Sequence, residues 1–201
     1  MAKFDIRTLK KEEIRVRIDE VKQTRLQVNM QNVYAAGIVL YKDARCDQRI
    51  LDEIFDHRWK RQHEIIGGNN YCTVSYYDDE IKEWISKQDV GTEQNFEEEK
   101  SAASDAFKRA CTNLGIGREL YTTPKEMLIY LKDDGHETYV SKNTGKITAS
   151  KDIKLYVGDI QYNENKEITK LVVIDDKGYC RYQFPYLPEG VNTAQQTQKQ
   201  A

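Results

Sequence analysis

Basic and hydroxyl side chains recur every four residues on one face of a helix predicted over residues 96–114. They are Lys100, Ser104, Lys108 and Thr112. At helical rise this spacing makes a polar ridge about 18 Å long, and such a row suits the successive phosphates of a nucleic acid strand. Arg109 stands next to Lys108, four residues after Asp105. The spacing leaves open whether Arg109 faces a phosphate or pairs with Asp105.

A second group with chemical potential is the run Asp78-Asp79-Glu80-Ile81-Lys82. An acid at a strand end followed by E-x-K could hold Mg²⁺ and place a lysine near a scissile phosphate, as in a metal-dependent nuclease that uses Asp78, Glu80 and Lys82. The same run is also a good hairpin turn, so both interpretations stay open.

Other enzyme motifs are missing from the sequence. It has no GxxxxGK[ST] loop, no GxSxG elbow and no HExxH, and its three histidines and four cysteines lack the spacing of a zinc site. We therefore expect no catalytic residues, no metal and no cofactor.

Charge and hydropathy narrow the class of protein further. The 201 residues carry a net charge of −2, which excludes a globally basic nucleic-acid coat but leaves room for a local basic groove. Basic residues dominate residues 1–63, whereas residues 78–99 hold nine acids and two lysines, so acidic and basic surfaces of two copies could also meet. Without a long apolar stretch, an apolar leader or a CxxC pair, the sequence predicts a cytoplasmic protein with reduced thiols.

The elements that must position these residues can be read from periodicity and turn signals. Alternation after a helical turn at residues 10–13 favours a strand, and an apolar run at residues 35–41 predicts a buried strand. Asp43 is expected to cap a helix over residues 44–55, and Asn95 the helix over residues 96–114, which Gly115 ends. Between the helices, a meander of three antiparallel strands is expected at residues 59–66, 71–77 and 80–87.

The remaining chain predicts a smaller β element. We expect a short helix over residues 124–131, a hairpin of residues 155–162 and 170–174, and a strand at residues 179–184. The expected fold class is α+β: an antiparallel β-meander packed on a long helix, with a small C-terminal β element. The expected domains are a core at residues 1–122, an extension at residues 123–185 and a disordered tail at residues 186–201.

Two segments resemble a known family. The run SAASDAFKRACTNLGIGRELY, at residues 101–121, resembles the signature helix of the phage Sak-type single-strand annealing proteins, relatives of the eukaryotic single-strand annealing mediator. The run YKDARCDQRILDEIFDHRW, at residues 41–59, resembles that family's first strand-to-helix segment. The resemblance covers roughly residues 10–122.

The resemblance implies a binding module that works without ATP. Family members form rings or filaments, hold single-stranded DNA in a basic groove between the meander and the helix, and anneal complementary strands in recombination and repair. It implies DNA contacts by Arg45, Lys100, Lys108, Arg109 and Arg118, although Arg118 has an alternative structural role in its G-I-G-R element. Some eukaryotic members have a third basic residue where this chain has Thr112.

Partners and source follow from the same resemblance. The expected partners are single-stranded DNA and further copies of the chain, with a host or phage single-strand binding protein as a candidate. A phage-encoded protein would act in the cytoplasm of its bacterial host. Beside the annealer, two alternatives stay open: the nuclease above and an oligomeric adaptor that binds no DNA. Likewise, Trp59, Tyr71, Tyr76 and Tyr77 are interpreted either as base-stacking residues or as core and interface residues.

Overall fold

A computed structural model describes residues 5–91 and 98–185, with only the backbone described for residues 98–101. These residues fall into two compact units. The first unit combines Lys42–Tyr121 with the segment that ends at Leu9, and the second combines Lys10–Tyr41 with the chain from Thr122 onward. Residues 10–41 belong to the second unit because they pair with strands from the C-terminal half of the chain. The expected domains at residues 1–122 and 123–185 stay a prediction.

The described chain contains the following helices and strands. In chain order they are β1 (Arg15–Val28), β2 (Gln31–Tyr41), α1 (Ala44–Phe55), β3 (Trp59–Ile66), β4 (Asn69–Asp78), β5 (Glu83–Val90), α2 (Glu98–Leu114), β6 (Leu128–Lys132), β7 (Thr138–Val140), β8 (Ile147–Ala149), β9 (Leu155–Tyr162), β10 (Ile168–Asp175) and β11 (Cys180–Phe184). Short 3-10 turns cover Lys11–Glu13 and Arg118–Thr122. The α+β class expected from the sequence is confirmed.

Helix α1 begins where the sequence predicts. The Asp43 carboxylate accepts the backbone N–H of Cys46 at 2.8 Å, which satisfies a donor that the helix itself leaves unpaired. The apolar stripe of the helix, formed by Ile50, Leu51 and Phe55, is buried. Cap and stripe together fix both the start of α1 and the face that it turns inward.

Strands β3, β4 and β5 form the predicted three-stranded antiparallel sheet, in that order. The third strand begins at Glu83 rather than at residue 80. The reason is a longer turn, in which the Asp78 carboxylate accepts the backbone N–H groups of Glu80 and Ile81, and Lys82 adopts a φ of 56°. Local side-chain hydrogen bonds of this kind compete with strand pairing.

Helix α2 packs against one face of this sheet. Ala106, Phe107, Ala110 and Cys111 form its fully buried stripe, and Cys72 and Val74 of the central strand are equally buried. The helix ends at Gly115, whose φ of 118° favours glycine. The predicted cap Asn95 and the first two residues of the predicted helix lie outside the described residues.

The second unit is built on a six-stranded sheet in the order β11-β10-β9-β1-β2-β6. The predicted hairpin of β9 and β10 and the strand β11 are confirmed, while the predicted helix over residues 124–131 is wrong. Residues Leu128–Lys132 instead form β6 and pair with β2, because Ile129 and Leu131 point into the core while Tyr130 and Lys132 are exposed, the period of a strand. The β7–β8 hairpin was not predicted, and the expected disordered tail at residues 186–201 lies outside the described residues.

Candidate nucleic-acid interface

A buried ion pair joins the start of α1 to the middle of α2. The Lys42 ammonium lies 2.5 Å from Asp47 Oδ1, and it also donates to the carbonyl oxygen of Lys108 at 3.3 Å. Lys42 is 5% exposed and Asp47 is fully buried. Because both charges are removed from water, separating them would leave an unpaired buried charge, which is strongly unfavourable. It therefore fixes the first turn of α1 beside the turn of α2 that contains Lys108.

The environment of Asp47 raises its pKa to about 6, because burial disfavours the charged carboxylate more than the neighbouring cations favour it. Lys42 and Lys108 are the cations that act in the opposite direction. The Lys108 carbonyl, which accepts from Lys42, places this turn of α2 beside the first turn of α1.

Arg45 is exposed in that first turn, two residues before Asp47. Lys108 is partly exposed, with its ammonium 4.0 Å from Asp105 Oδ1, a distance at which the two charges attract only weakly. The fold thus brings the turns that carry Arg45 and Lys108 together, although they are far apart in sequence.

Arg109 lies on the other flank of α2. Its Nε donates to Asp89 Oδ1 on β5 at 3.3 Å, and the Asn113 amide donates to the other oxygen of Asp89 at 3.0 Å. The pairing with Asp105, one of the two interpretations from sequence, is replaced by this contact with the sheet. A residue one position along a helix is rotated by about 100°, which is why Lys108 and Arg109 face different neighbours.

Arg118 is bound to the end of α2. Its Nη2 donates to the carbonyl oxygens of Thr112 at 3.3 Å and Asn113 at 3.1 Å, in the last turn of the helix, where carbonyl groups lack the N–H four residues on that a continuing helix would supply. This contact agrees with the structural role that the sequence left open. Lys100 is a residue of α2, but the structure describes only its backbone.

The other members of the polar ridge contribute less than their spacing implies. Ser104 is exposed, but the Thr112 hydroxyl donates to the carbonyl oxygen of Lys108 at 3.0 Å. That hydroxyl is therefore engaged within its own helix, a common arrangement for threonine.

The sequence interpretation missed the cations of β3. The Arg61 guanidinium lies 4.8 Å from the centroid of the buried Phe107 ring and remains exposed. It therefore adds a cation on the face of the sheet that α2 covers, supported by a cation–π contact. Lys60 points to the opposite face, with its ammonium 4.1 Å from the centroid of the Trp84 ring. Strand alternation applied to residues 59–66 would have separated these two cations.

Several aromatic side chains of the meander pack within the unit. The Tyr76 ring stacks on Phe55 with centroids 4.5 Å apart, and the Trp59 indole donates to Asp52 Oδ1 at 2.7 Å. Both side chains are half-buried and make packing contacts within the unit. Tyr77 meets Trp84 edge to face on the opposite side of the sheet, where Trp84 remains exposed.

The residues of the alternative nuclease site form the turn between β4 and β5. Asp78 caps the turn, Asp79 pairs with Arg58, and Lys82 takes the left-handed conformation. Across residues 5–91 and 98–185, no group of three histidine, cysteine or acidic side chains is placed to hold a metal ion.

The four cysteines are free thiols, and burial raises the pKa of Cys72 to about 11. None of the described helices is both long enough and apolar enough to span a membrane.

Comparison with known proteins gives two relatives. The chain is 33% identical over 93 residues to the single-stranded DNA-binding protein DdrA of Deinococcus radiodurans, covering 45% of this chain and 44% of that protein. It is 34% identical over 97 residues to the single-stranded DNA-binding protein DdrA of Deinococcus deserti, covering 47% of each. The chain thus spans slightly less than half the length of the curated relatives that it matches. No family model and no solved structure matches it.

Proposed function

We propose that the first unit binds single-stranded DNA by its phosphate backbone and that copies of the chain, assembled as a ring or filament, anneal complementary strands. The observation that carries the proposal is the Lys42–Asp47 pair, which holds the turn of Arg45 beside Lys108. The names of the two DdrA relatives support single-stranded DNA as the ligand.

The charge pattern fits annealing. Strands that are to pair must be held by their phosphates with the bases accessible, so cations rather than base-specific contacts should dominate. Arg45, Lys108 and Arg61 supply such cations, whereas Arg109 would contribute after exchanging Asp89 for a phosphate. Modest affinity per copy, multiplied over an assembly, allows both tight binding of single strands and release of the duplex.

The biological setting belongs to the same proposal. We place the protein in recombination or repair of a bacteriophage genome, in the cytoplasm of the bacterial host, without a metal or nucleotide. The Sak-type resemblance of residues 41–59 and 101–121 is its basis.

The test measures binding of a fluorescent oligothymidylate by anisotropy over a range of salt concentrations. Arg45→Ala and Lys108→Ala should each weaken binding and reduce the salt slope by ~0.7 for each phosphate that the variant no longer neutralises. Lys177→Ala, an exposed lysine in the β10–β11 turn, is the matched control. Unchanged salt slopes in both variants would contradict the proposal.

Assays with complementary oligonucleotides distinguish the annealer from the nuclease and the adaptor. An annealer accelerates duplex formation from complementary oligonucleotides without Mg²⁺ and is unaffected by Glu80→Ala. A nuclease degrades the oligonucleotides in Mg²⁺ and loses this activity in Glu80→Ala, and an adaptor shows no DNA binding at all.

A further inference from the structure

A groove of about 700 Å³ lies beside β1 in the second unit. One wall is the stretch from Ile14 to Gln23, and the other runs from Thr144 to Tyr156, which includes β8 and the start of β9. We call it the β1 groove. All of its lining residues belong to the second unit, whereas the cations of α1 and α2 belong to the first.

The β1 groove exposes a strand edge. On one side β1 pairs with β2 from Arg15↔Tyr41 to Val28↔Gln31, but on the other it pairs with β9 only at Arg15↔Tyr156. Among the described residues, no strand pairs with that second edge between Val16 and Glu20. Such an edge presents backbone N–H and C=O groups to an incoming strand.

The far end of this open edge is closed by a side chain. The Gln23 amide accepts the Ile147 N–H at 2.8 Å and donates to the Ile147 carbonyl oxygen at 3.1 Å, as a peptide group of a paired strand would. It also donates to the carbonyl oxygen of Val21 at 2.8 Å. Between β9 at Arg15 and the engaged carbonyl of Val21, the open segment is the five residues 16–20, which would match about 17 Å of extended chain.

The charge of the β1 groove is positive. Its cations are Arg15, Arg17, Lys146, Lys151 and Lys154. Its two acids are each already near a cation, with Asp19 3.7 Å from Arg17 and Glu20 3.1 Å from Lys22. Within the described part of the chain, Arg15, Lys146 and Lys151 form no ion pair with a carboxylate. Surplus positive charge selects an anionic partner.

The walls also offer apolar surface. Tyr41 and Tyr156 flank Arg15 on the neighbouring strands and are 40% and 48% exposed. Ile18, Ile147 and Ile153 line the groove as well. The two tyrosines lie on the same face of the sheet as Arg15, whereas Ile18 lies on the other face. An added strand that alternates acidic and apolar side chains would therefore meet the arginines of β1 on one face and Ile18 on the other.

We propose that the β1 groove binds an extended acidic peptide segment of a partner protein as an additional strand beside β1. A peptide uses both features of the groove, because its backbone pairs with the open edge while its carboxylates meet the cations. A nucleic acid would use the cations alone, since it has no backbone that continues a β-ladder. The proposal does not depend on the DNA-binding function of the first unit.

The test measures binding of a fluorescein-labelled (Glu-Val)₄ peptide to the full chain by fluorescence anisotropy. Three probes are compared with it: (Lys-Val)₄, a (Glu-Val)₄ analogue with N-methylated valines, and an oligothymidylate as competitor. The protein variants are the double variant Lys146→Glu/Lys151→Glu, the control Lys177→Glu, and Lys108→Ala. Urea unfolding of each variant verifies that it is folded.

The proposal predicts that (Glu-Val)₄ binds, that (Lys-Val)₄ does not, and that N-methylation weakens binding at least tenfold because it removes backbone donors. The double charge reversal should also weaken peptide binding at least tenfold, whereas Lys177→Glu and Lys108→Ala should leave it unchanged.

Absence of binding at millimolar peptide, or equal binding by the double variant, would overturn it. Equal binding of the N-methylated peptide would overturn strand addition. If only the oligothymidylate bound, and bound less to the double variant than to Lys177→Glu, the groove would be a nucleic-acid site instead. Since Lys108→Ala affects only the first unit, failure of the proposed DNA binding is distinguishable from failure of this site.

Discussion

Lys42 and Asp47 form a buried ion pair, with 2.5 Å between the ammonium nitrogen and Oδ1, and through it the first turn of α1 is held against the backbone of Lys108. The two residues are five positions apart, and the fold buries both, leaving Lys42 5% exposed and Asp47 fully buried. Four predictions concern this pair and its surroundings, and a fifth concerns β3.

Removing one partner of the pair should be strongly destabilising. Asp47→Ala leaves Lys42 as a buried charge without its carboxylate, and we expect a loss of about 3–5 kcal/mol in the free energy of unfolding, measured by urea denaturation. The exposed pair of Lys22 and Glu20 is the control, and Glu20→Ala there should change stability by less than about 1 kcal/mol. Equal effects of the two variants would show that the buried pair is not structural.

Stability should fall with rising pH through the titration of Asp47. Its pKa in the folded protein is about 6, above the unfolded value of 3.8, so the folded state binds more protons between these values. The protonated carboxyl therefore contributes stability that is complete below about pH 4 and is lost as the pH rises through 6, by up to about 3 kcal/mol. The stability of the wild type relative to Asp47→Asn should decrease from pH 4 to 7, and an increase would contradict the assignment.

Gly117 should not tolerate a side chain. A Cβ there would come within 2.5 Å of Lys42 Cε, and the φ of +71° already disfavours other residues. Gly178 has a similar φ of +82° but open space around it, so Gly178→Ala measures the backbone effect alone, about 1–2 kcal/mol. We expect Gly117→Ala to lose at least about 1 kcal/mol more than this control, because Lys42 is held in place by Asp47. Equal losses in urea denaturation would contradict the crowding.

Alanine variants of Arg118 and Arg45 should affect different properties, the first the stability of the fold and the second the binding of DNA. Arg118→Ala removes hydrogen bonds at the end of α2 and should lower the unfolding free energy by about 1 kcal/mol without changing the salt slope of oligothymidylate binding. Arg45→Ala should lower the salt slope of oligothymidylate binding without changing the unfolding free energy, since Arg45 is exposed on α1. A salt slope lowered by Arg118→Ala would instead place Arg118 at the phosphates.

Variants of the two cations of β3, Arg61 and Lys60, can show which face of the sheet binds the DNA. Arg61→Gln and Lys60→Gln remove the same charge from opposite faces of the sheet. If DNA lies on the face covered by α2, Arg61→Gln should weaken oligothymidylate binding about tenfold, or ~1.4 kcal/mol, and Lys60→Gln clearly less. The reverse order in an anisotropy titration would place the DNA on the face of Trp84.

Local sequence patterns were sufficient to predict most of the helices and strands of the first unit. The Asp43 cap, the apolar stripe of α1 and the buried stripe of α2 arise from residues within a few positions of one another, and all three are where the sequence places them. The three strands of the meander are joined by short turns, so their pairing is also nearly local. The family resemblance added Arg45 and Arg118 to the cations that the helical spacing indicates, but not the neighbours that each cation meets.

Tertiary structure decided the rest. Sequence alone determined α1, α2, the meander of β3, β4 and β5 and the hairpin of β9 and β10, because those depend on neighbours in the chain. It could not determine that β1 and β2 join β9 and β6, that Asp89 binds Arg109, or that Lys42 and Asp47 are buried together. These contacts depend on which surfaces meet after folding, and side chains distant in sequence acquire their partners, burial and pKa only then.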